Sequence, residues 1–186
     1  GLSGTCNLVR VVAQGREDLE VAVFDSVSGS LGIGMMLLQL WEDIRGGMGF
    51  GQLREERVPH LIAHTHPFFS VDTLEYLQRG GRIGKITALA GTMLNIKPLV
   101  GFAADGQLTS VAKVRGRRAV QGKLVELLEG FAAHGGRYNL AVANGGAPAE
   151  MEELAGKVKA RFPHYEHFWT GELDATLSVY IGSGVL

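Results

Sequence analysis

The sequence predicts an α/β fold in which part of the sheet is mixed. Strand-like and helix-like segments alternate along the chain, as they do when helices cover the faces of a sheet. The segment "IKPLVGFAADGQLTSVAKV" interrupts that alternation with two strands joined at Asp105-Gly106, a turn that makes neighbouring strands antiparallel. The 186 residues are 46% hydrophobic and 20% charged, which supplies a core and argues against disorder.

Taken in order, "GLSGT" from Gly1 to Thr5 reads as a loop-to-helix junction, and a chain that opens on glycine gives the expectation of a fragment. "LEVAVFD" (Leu19 to Asp25) is rich in branched residues and alternates, so it is expected to be a strand. Ser28 or Ser30 then caps a helix running to about Ile44, with Leu31, Met35, Leu38 and Trp41 on one face. Glycines 46, 47, 49 and 51 end that helix and leave the backbone few preferred conformations. The domain boundary is therefore placed there, with residues 1–46 as the remainder of one α/β domain and 47–186 as a second.

Beyond the boundary, "HLIAHTHPFF" reads as a strand, and "VDTLEYLQRGG" as a short helix capped by Asp72 or Thr73 and ended by Gly80. "IGKITALAGTML" is a second helix, lined with Ala and Gly. In the hairpin, Pro98 has no N–H for a ladder and implies an edge position or a strand start. A long helix covers about Arg117 to Ala133, "RYNLAVAN" is a strand, and "APAEMEELAGKVKARF" is a helix with Pro148 in its first turn. "YEHFWTG" is the last strand and "ELDATLSVY" the closing helix.

Bulk properties exclude several functions. A formal net charge of −1 gives no whole-molecule attraction to nucleic acid or anionic lipid. Cys6 is the only cysteine, so an internal disulfide is impossible and a reducing compartment, the cytoplasm, is expected. The most apolar stretch, Leu31 to Trp41, contains Gln39 and is too short for a bilayer core of roughly 30 Å, so no integral membrane segment is expected.

Chemistry concentrates in "GGRIGKITALAGTMLNIKPLV" (Gly80 to Val100), where one arginine stands among three glycines. A phosphate-binding loop would need a glycine where Arg79 stands and a Ser or Thr where Ile86 stands, so that reading fails at both ends. "GSLGIG" (Gly29 to Gly34) lacks the glycine order of a dinucleotide site. His60, His64 and His66 have even spacings that would place three imidazoles on one strand face, a possible zinc site. No carboxylate or cysteine stands among the three to complete it. A metal-assisted hydrolase-type enzyme built on that trio is the alternative reading. Cys6 as a nucleophile would need a lowered pKa, which a sequence does not display.

The order and spacing of "LQRGGRIG", "LNIKP" and "KVRGRR", with "GLSGT" and "FDSVSGSLGIG" before them, resemble the DegV family of bacterial fatty-acid-binding proteins over nearly the whole chain. The resemblance implies two α/β domains, the first Rossmann-like and partial here, the second with a mixed sheet, closing over a long-chain fatty acid such as palmitate. It also implies roughly ninety further residues upstream. The function implied is a carrier without chemistry or cofactor of its own, which presents the carboxylate to a separate ATP-dependent fatty acid kinase that feeds phospholipid synthesis.

On this resemblance, Arg82 and Tyr180 stand in the carboxylate region. Tyr180 occupies the place of a family histidine and donates one hydrogen bond without a positive charge, which bears on the acyl-phosphate step. Arg82 between glycines can approach a carboxylate bidentately or can tie down neighbouring carbonyls. Ile86, Leu89, Met93 and Met35 are candidates for the acyl pocket, with ordinary core packing as the alternative. Burying about sixteen methylene-sized groups at roughly 0.8 kcal/mol each caps the tail's contribution near 13 kcal/mol. Lys113, Arg115, Arg117 and Arg118 form a basic cluster, either a solvated edge or the docking site of the kinase.

Overall fold

The computed structural model describes residues 2–89, 95–132 and 136–186. The hairpin forms as its turn predicts: β2 (Ile96–Phe102) runs antiparallel to β3 (Leu108–Arg115). Gly106 adopts φ +75°, a region that favours glycine, and the Asp105 carboxylate accepts from the Gln107 N–H at 3.1 Å. A two-residue β1 (Phe69–Ser70) pairs with Val100 and Leu99 on the other side of β2. The second sheet pairs β4 (Leu140–Asn144) in parallel with β5 (Phe168–Glu172), connected through α7 (Pro148–Arg161).

In place of the single mixed sheet expected from the sequence there are two, an antiparallel β1-β2-β3 sheet and a parallel β4-β5 pair, which the last described residues bridge. Gly145, just past β4, donates to the Val185 carbonyl at 3.0 Å, while Ser70 of β1 and Leu186 exchange bonds of 2.8 and 3.3 Å. Val185 and Leu186 thus link the parallel pair to the antiparallel sheet. Substituents along it are tightly placed, since Val185 and Leu186 are both buried.

Two apolar clusters fill the layers. The larger joins Val142 of β4 and Leu99 of β2 to Val120 and Leu124 of α6 (Arg118–Ala132) and to Met151, Leu154, Ala155 and Val158 of α7. Those four α7 positions recur at the helical interval and are that helix's buried residues, so pattern and packing agree. Pro148 stands in its first turn as expected. The second cluster contains Val71, Leu74, Leu77, Ile86, Val100, Leu108 and Val185.

Four segments depart from expectation. Residues 19–25 form no strand, and Leu19 and Val21 are exposed. A ladder needs a neighbour, and among the described residues none lies beside them. "HLIAHTHPFF" is not a strand: a three-residue α3 (Phe50–Gln52) continues through a π-turn (Leu53–Arg57) into α4 (Val58–Ala63), leaving only β1 at its end. Val58, Leu61 and Ile62 already recur at helical spacing, and Pro59, which cannot donate to the preceding turn, falls where the π-turn gives way to α4.

The helix expected up to Ile44 is α2 (Leu31–Arg45), which follows α1 (Thr5–Gln14), but it buries Gly32 and Met36 while Leu38 and Trp41 stay exposed. Gly32 lets the backbone close on Ser28 and Pro67, which rotates the buried stripe away from the larger side chains. "IGKITALAGTML" begins as a 3₁₀ turn (Gly84–Leu89), and its remainder, including Met93, lies outside the described residues. Pro98 sits inside β2 rather than at its start, tolerated where β1 reaches only Leu99 and Val100.

Candidate functional site

Two short helices bring the expected head-group residues together. The first, α5 (Glu75–Arg79), is started by Thr73, whose hydroxyl accepts from the Glu75 N–H at 3.2 Å, and it ends at Gly80. The chain then needs φ +67° at Gly81 and +57° at Gly84 to turn sharply, and Arg82 stands between these two glycines. The second, α8 (Ala175–Ile181), is capped by Asp174, which accepts from the Leu177 N–H at 2.9 Å. Tyr180 projects from its last turn.

The Arg82 guanidinium lies over the Tyr180 ring, 4.8 Å from its centroid, and donates through Nη1 to the Gly80 carbonyl at 2.7 Å. Among the described residues it makes no ion pair with a carboxylate. Arg82 is exposed, so a charge held in direction by a ring and a carbonyl keeps further N–H donors available to an anion. A cation–π contact at an exposed site is worth about 0.5–1 kcal/mol, enough to bias orientation and little more.

The other expected residues disperse. Ile86 is 1% exposed and belongs to the core with Leu77, Val100 and Leu108. Met35 is partly buried on α2 outside that cluster, Leu89 ends the 3₁₀ turn, and Met93 is not among the described residues. Two open depressions of about 250 and 460 Å³ are lined by polar groups such as Gln52, Glu56 and Arg57 or Gln39, Asp43 and Arg137, unlike an acyl slot.

The basic cluster divides. Lys113 and Arg115 are exposed on one face of β3, and Arg118 is exposed at the start of α6. Arg117 turns inward instead: its Nε donates to Glu150 at 2.7 Å and its Nη1 to Asp72 at 3.4 Å, while Lys97 reaches the same Asp72 carboxylate at 3.1 Å. The network joins α7, the hairpin and the residues ahead of α5.

The histidine trio does not share a strand face. His60 and His64 stack at 4.1 Å across one helical turn, and His66 stacks on Phe131 at 4.0 Å. Burial, with the neighbouring His64, holds the His60 and His66 imidazoles below the ordinary histidine range, and Arg57 adds to the effect at His60. No group of three or more His, Cys, Asp or Glu placed to hold a metal occurs among the described residues. No helix among them is long and apolar enough to cross a membrane.

Local pattern gives no sign of Tyr76 and marks the nearby Asp72 only as a helix cap. The signal lies in glycines far along the chain: a Cβ on Gly182 would meet the Tyr76 ring at 2.5 Å, and one on Gly184 would meet the Asp72 carboxylate.

The α/β fold thus carries, where α5 and α8 end, a guanidinium resting on a tyrosine ring with no acidic partner among the described residues. The chain belongs to the DegV family: the family model described as "Uncharacterised protein, DegV family" matches residues 1–186. It is 31% identical over 185 residues to a DegV domain-containing protein of Clostridium acetobutylicum, covering 100% of this chain and 65% of that protein. Among solved structures, a DegV family protein from Thermus thermophilus, described by its fatty acid binding, matches with a TM-score of 0.90 at 30% identity, over 99% of this chain and 65% of its own. DegV of Bacillus subtilis, described as a fatty acid binding protein, matches with a TM-score of 0.82 at 25% identity, over 99% of this chain and 64% of its own.

Proposed function

We propose that the protein to which this chain belongs binds a long-chain fatty acid such as palmitate and presents its carboxylate, at Arg82 and Tyr180, to an ATP-dependent fatty acid kinase. The observation that carries the reading is Arg82: an exposed guanidinium with a fixed direction and no carboxylate partner among the described residues, in a chain whose relatives are described as fatty-acid-binding. The apolar tail supplies affinity, and the head group needs one oriented cation. Leu89, Met93 and Met35 are assigned to the walls of an acyl slot closed between residues 1–46 and 47–186, while Ile86 is given to core packing.

The carrier performs no chemistry itself. Its kinase docks on the exposed Lys113, Arg115 and Arg118, while Arg117 supports that edge from within. A cytoplasmic location suits a kinase substrate and the unpaired Cys6. The dispersed histidines favour no metal-assisted reading. Organic extraction of the purified full-length protein followed by mass spectrometry should release a saturated or mono-unsaturated fatty acid at close to one per protein. Protein that carries no lipid and takes up no labelled palmitate would remove the proposal.

A further inference from the structure

The corner that holds Arg82 is built as a reciprocal clasp. Tyr180, from α8, seats on Gly80, the residue that ends α5: a Cβ there would collide with Cδ1 and approach Cε1 to 3.0 Å. Tyr76, from α5, seats on Gly182, the residue that ends α8: a Cβ there would lie 2.5 Å from Cδ2 and 2.7 Å from Cε2. Each helix thus carries an aromatic ring that only a glycine at the other helix's end can accept. Gly182 also has φ +77°, where glycine alone is unstrained, so the seat under Tyr76 is determined by backbone as well as by space.

The two contacts are not equivalent toward the ligand. Tyr180 touches the guanidinium; Tyr76 does not, and its hydroxyl has no hydrogen-bond partner among the described residues. Tyr76 nevertheless fixes where α8 ends relative to α5. The α8 terminus fixes the Tyr180 ring, and the ring together with the Gly80 carbonyl fixes the direction of Arg82. We infer that Tyr76 is a positioning residue for the carboxylate site, acting through this tyrosine–glycine clasp; the inference rests on the fatty-acid reading given above.

A flat ring is what the seat requires, and the hydroxyl is dispensable. The test therefore measures head-group discrimination: the affinity of the full-length protein for palmitate divided by its affinity for methyl palmitate, each from displacement of a fluorescent fatty acid. One charge-assisted contact predicts a ratio of about ten or more in the wild type, collapsing in Arg82→Ala. Tyr76→Phe should keep the wild-type ratio. Tyr76→Ala and Gly182→Ala should lower it to about threefold or less while methyl palmitate affinity stays within about twofold, because the tail site is untouched.

A merely structural role for Tyr76 predicts equal losses for acid and ester, and that result overturns the inference. So does a Tyr76→Ala protein with the wild-type ratio. Should Tyr76→Ala not fold by circular dichroism, Tyr76→Leu, which keeps volume without a flat ring, carries the same two outcomes. Wild-type protein that binds neither ligand refutes the fatty-acid reading itself and the inference with it. Wild-type discrimination that is lost in Arg82→Ala but kept in Tyr76→Ala refutes the clasp alone.

Discussion

Gly84→Ala should be among the most damaging single-methyl additions in this chain. Gly84 opens the 3₁₀ turn at φ +57°, and a Cβ there would lie 2.7 Å from the carbonyl oxygen and 2.9 Å from the nitrogen of Leu108, the first residue of β3. Those are backbone atoms of a buried strand end, so no side-chain rotation relieves the contact. A left-handed backbone costs a residue with a Cβ about 1–2 kcal/mol, and overpacking against an immobile neighbour adds about 1–3 kcal/mol. The sum is about 2–5 kcal/mol, which in a chain of this size lowers Tm by about 4–20 °C. Gly81 is the matched control: its φ is +67°, but nothing lies within 4 Å of the added atom. Gly81→Ala should therefore lose only the first contribution, about 2–8 °C. Thermal unfolding of both variants, followed by circular dichroism, checks the order. A Gly84→Ala protein that melts at or above Gly81→Ala would refute the close-approach argument.

Two further outcomes are expected. The double variant Arg115→Glu with Arg118→Glu should weaken kinase-dependent formation of acyl phosphate, chiefly through association and most at low salt, without changing lipid content; unchanged turnover counts against docking on this edge. Unfolding midpoints in denaturant should fall between pH 7 and pH 5, because His60 and His66 titrate below the ordinary range when folded and the unfolded chain takes up protons first as pH drops through about 6.5. Replacing both with Gln should flatten that fall. Asp43 contributes separately: burial opposes its charge, but Arg57 and Gln39 outweigh burial and lower its pKa, so its stabilising share is present above about pH 4 and is lost only as pH falls through its folded value.

What the sequence makes legible is what local pattern determines. The α7 stripe of Met151, Leu154, Ala155 and Val158, its Pro148 start, and the Asp105-Gly106 hairpin all follow from periods and turn chemistry, and each is where expected. The "HLIAHTHPFF" segment misleads because three histidines at even spacing suggest period two, while Val58, Leu61 and Ile62 carry the helical period that decides. Residues 19–25 have a strand's composition, but composition does not supply a partner strand. At the site, Arg82 and Tyr180 were legible as two separate marks on the family pattern, and the structure brings them to 4.8 Å. Tyr76 was not, since its role depends on a glycine at the end of a different helix.

The sequence left two uses for Arg82 open, a ligand for the head group or a clamp on nearby carbonyls, and a second arginine in the same protein shows what a clamp looks like. Arg117 is partly buried, engages Glu150 at 2.7 Å and Asp72 at 3.4 Å, and ties three parts of the chain together through those carboxylates. Its charge is answered within the molecule. Arg82 is exposed, makes one side-chain bond among the described residues, to a carbonyl two residues away, and rests its face on a neutral ring. Neither contact neutralises the guanidinium, and both leave donors on its outer edge. A clamp would gain from a carboxylate at that edge, as Arg117 does; a receptor must keep the place open. The glycines on either side fit the second case, because they let the chain turn tightly around the cation without covering it. On the proposed reading a tyrosine at position 180 keeps that logic: the ring holds the guanidinium in place, and the positive charge offered to the head group is that of Arg82.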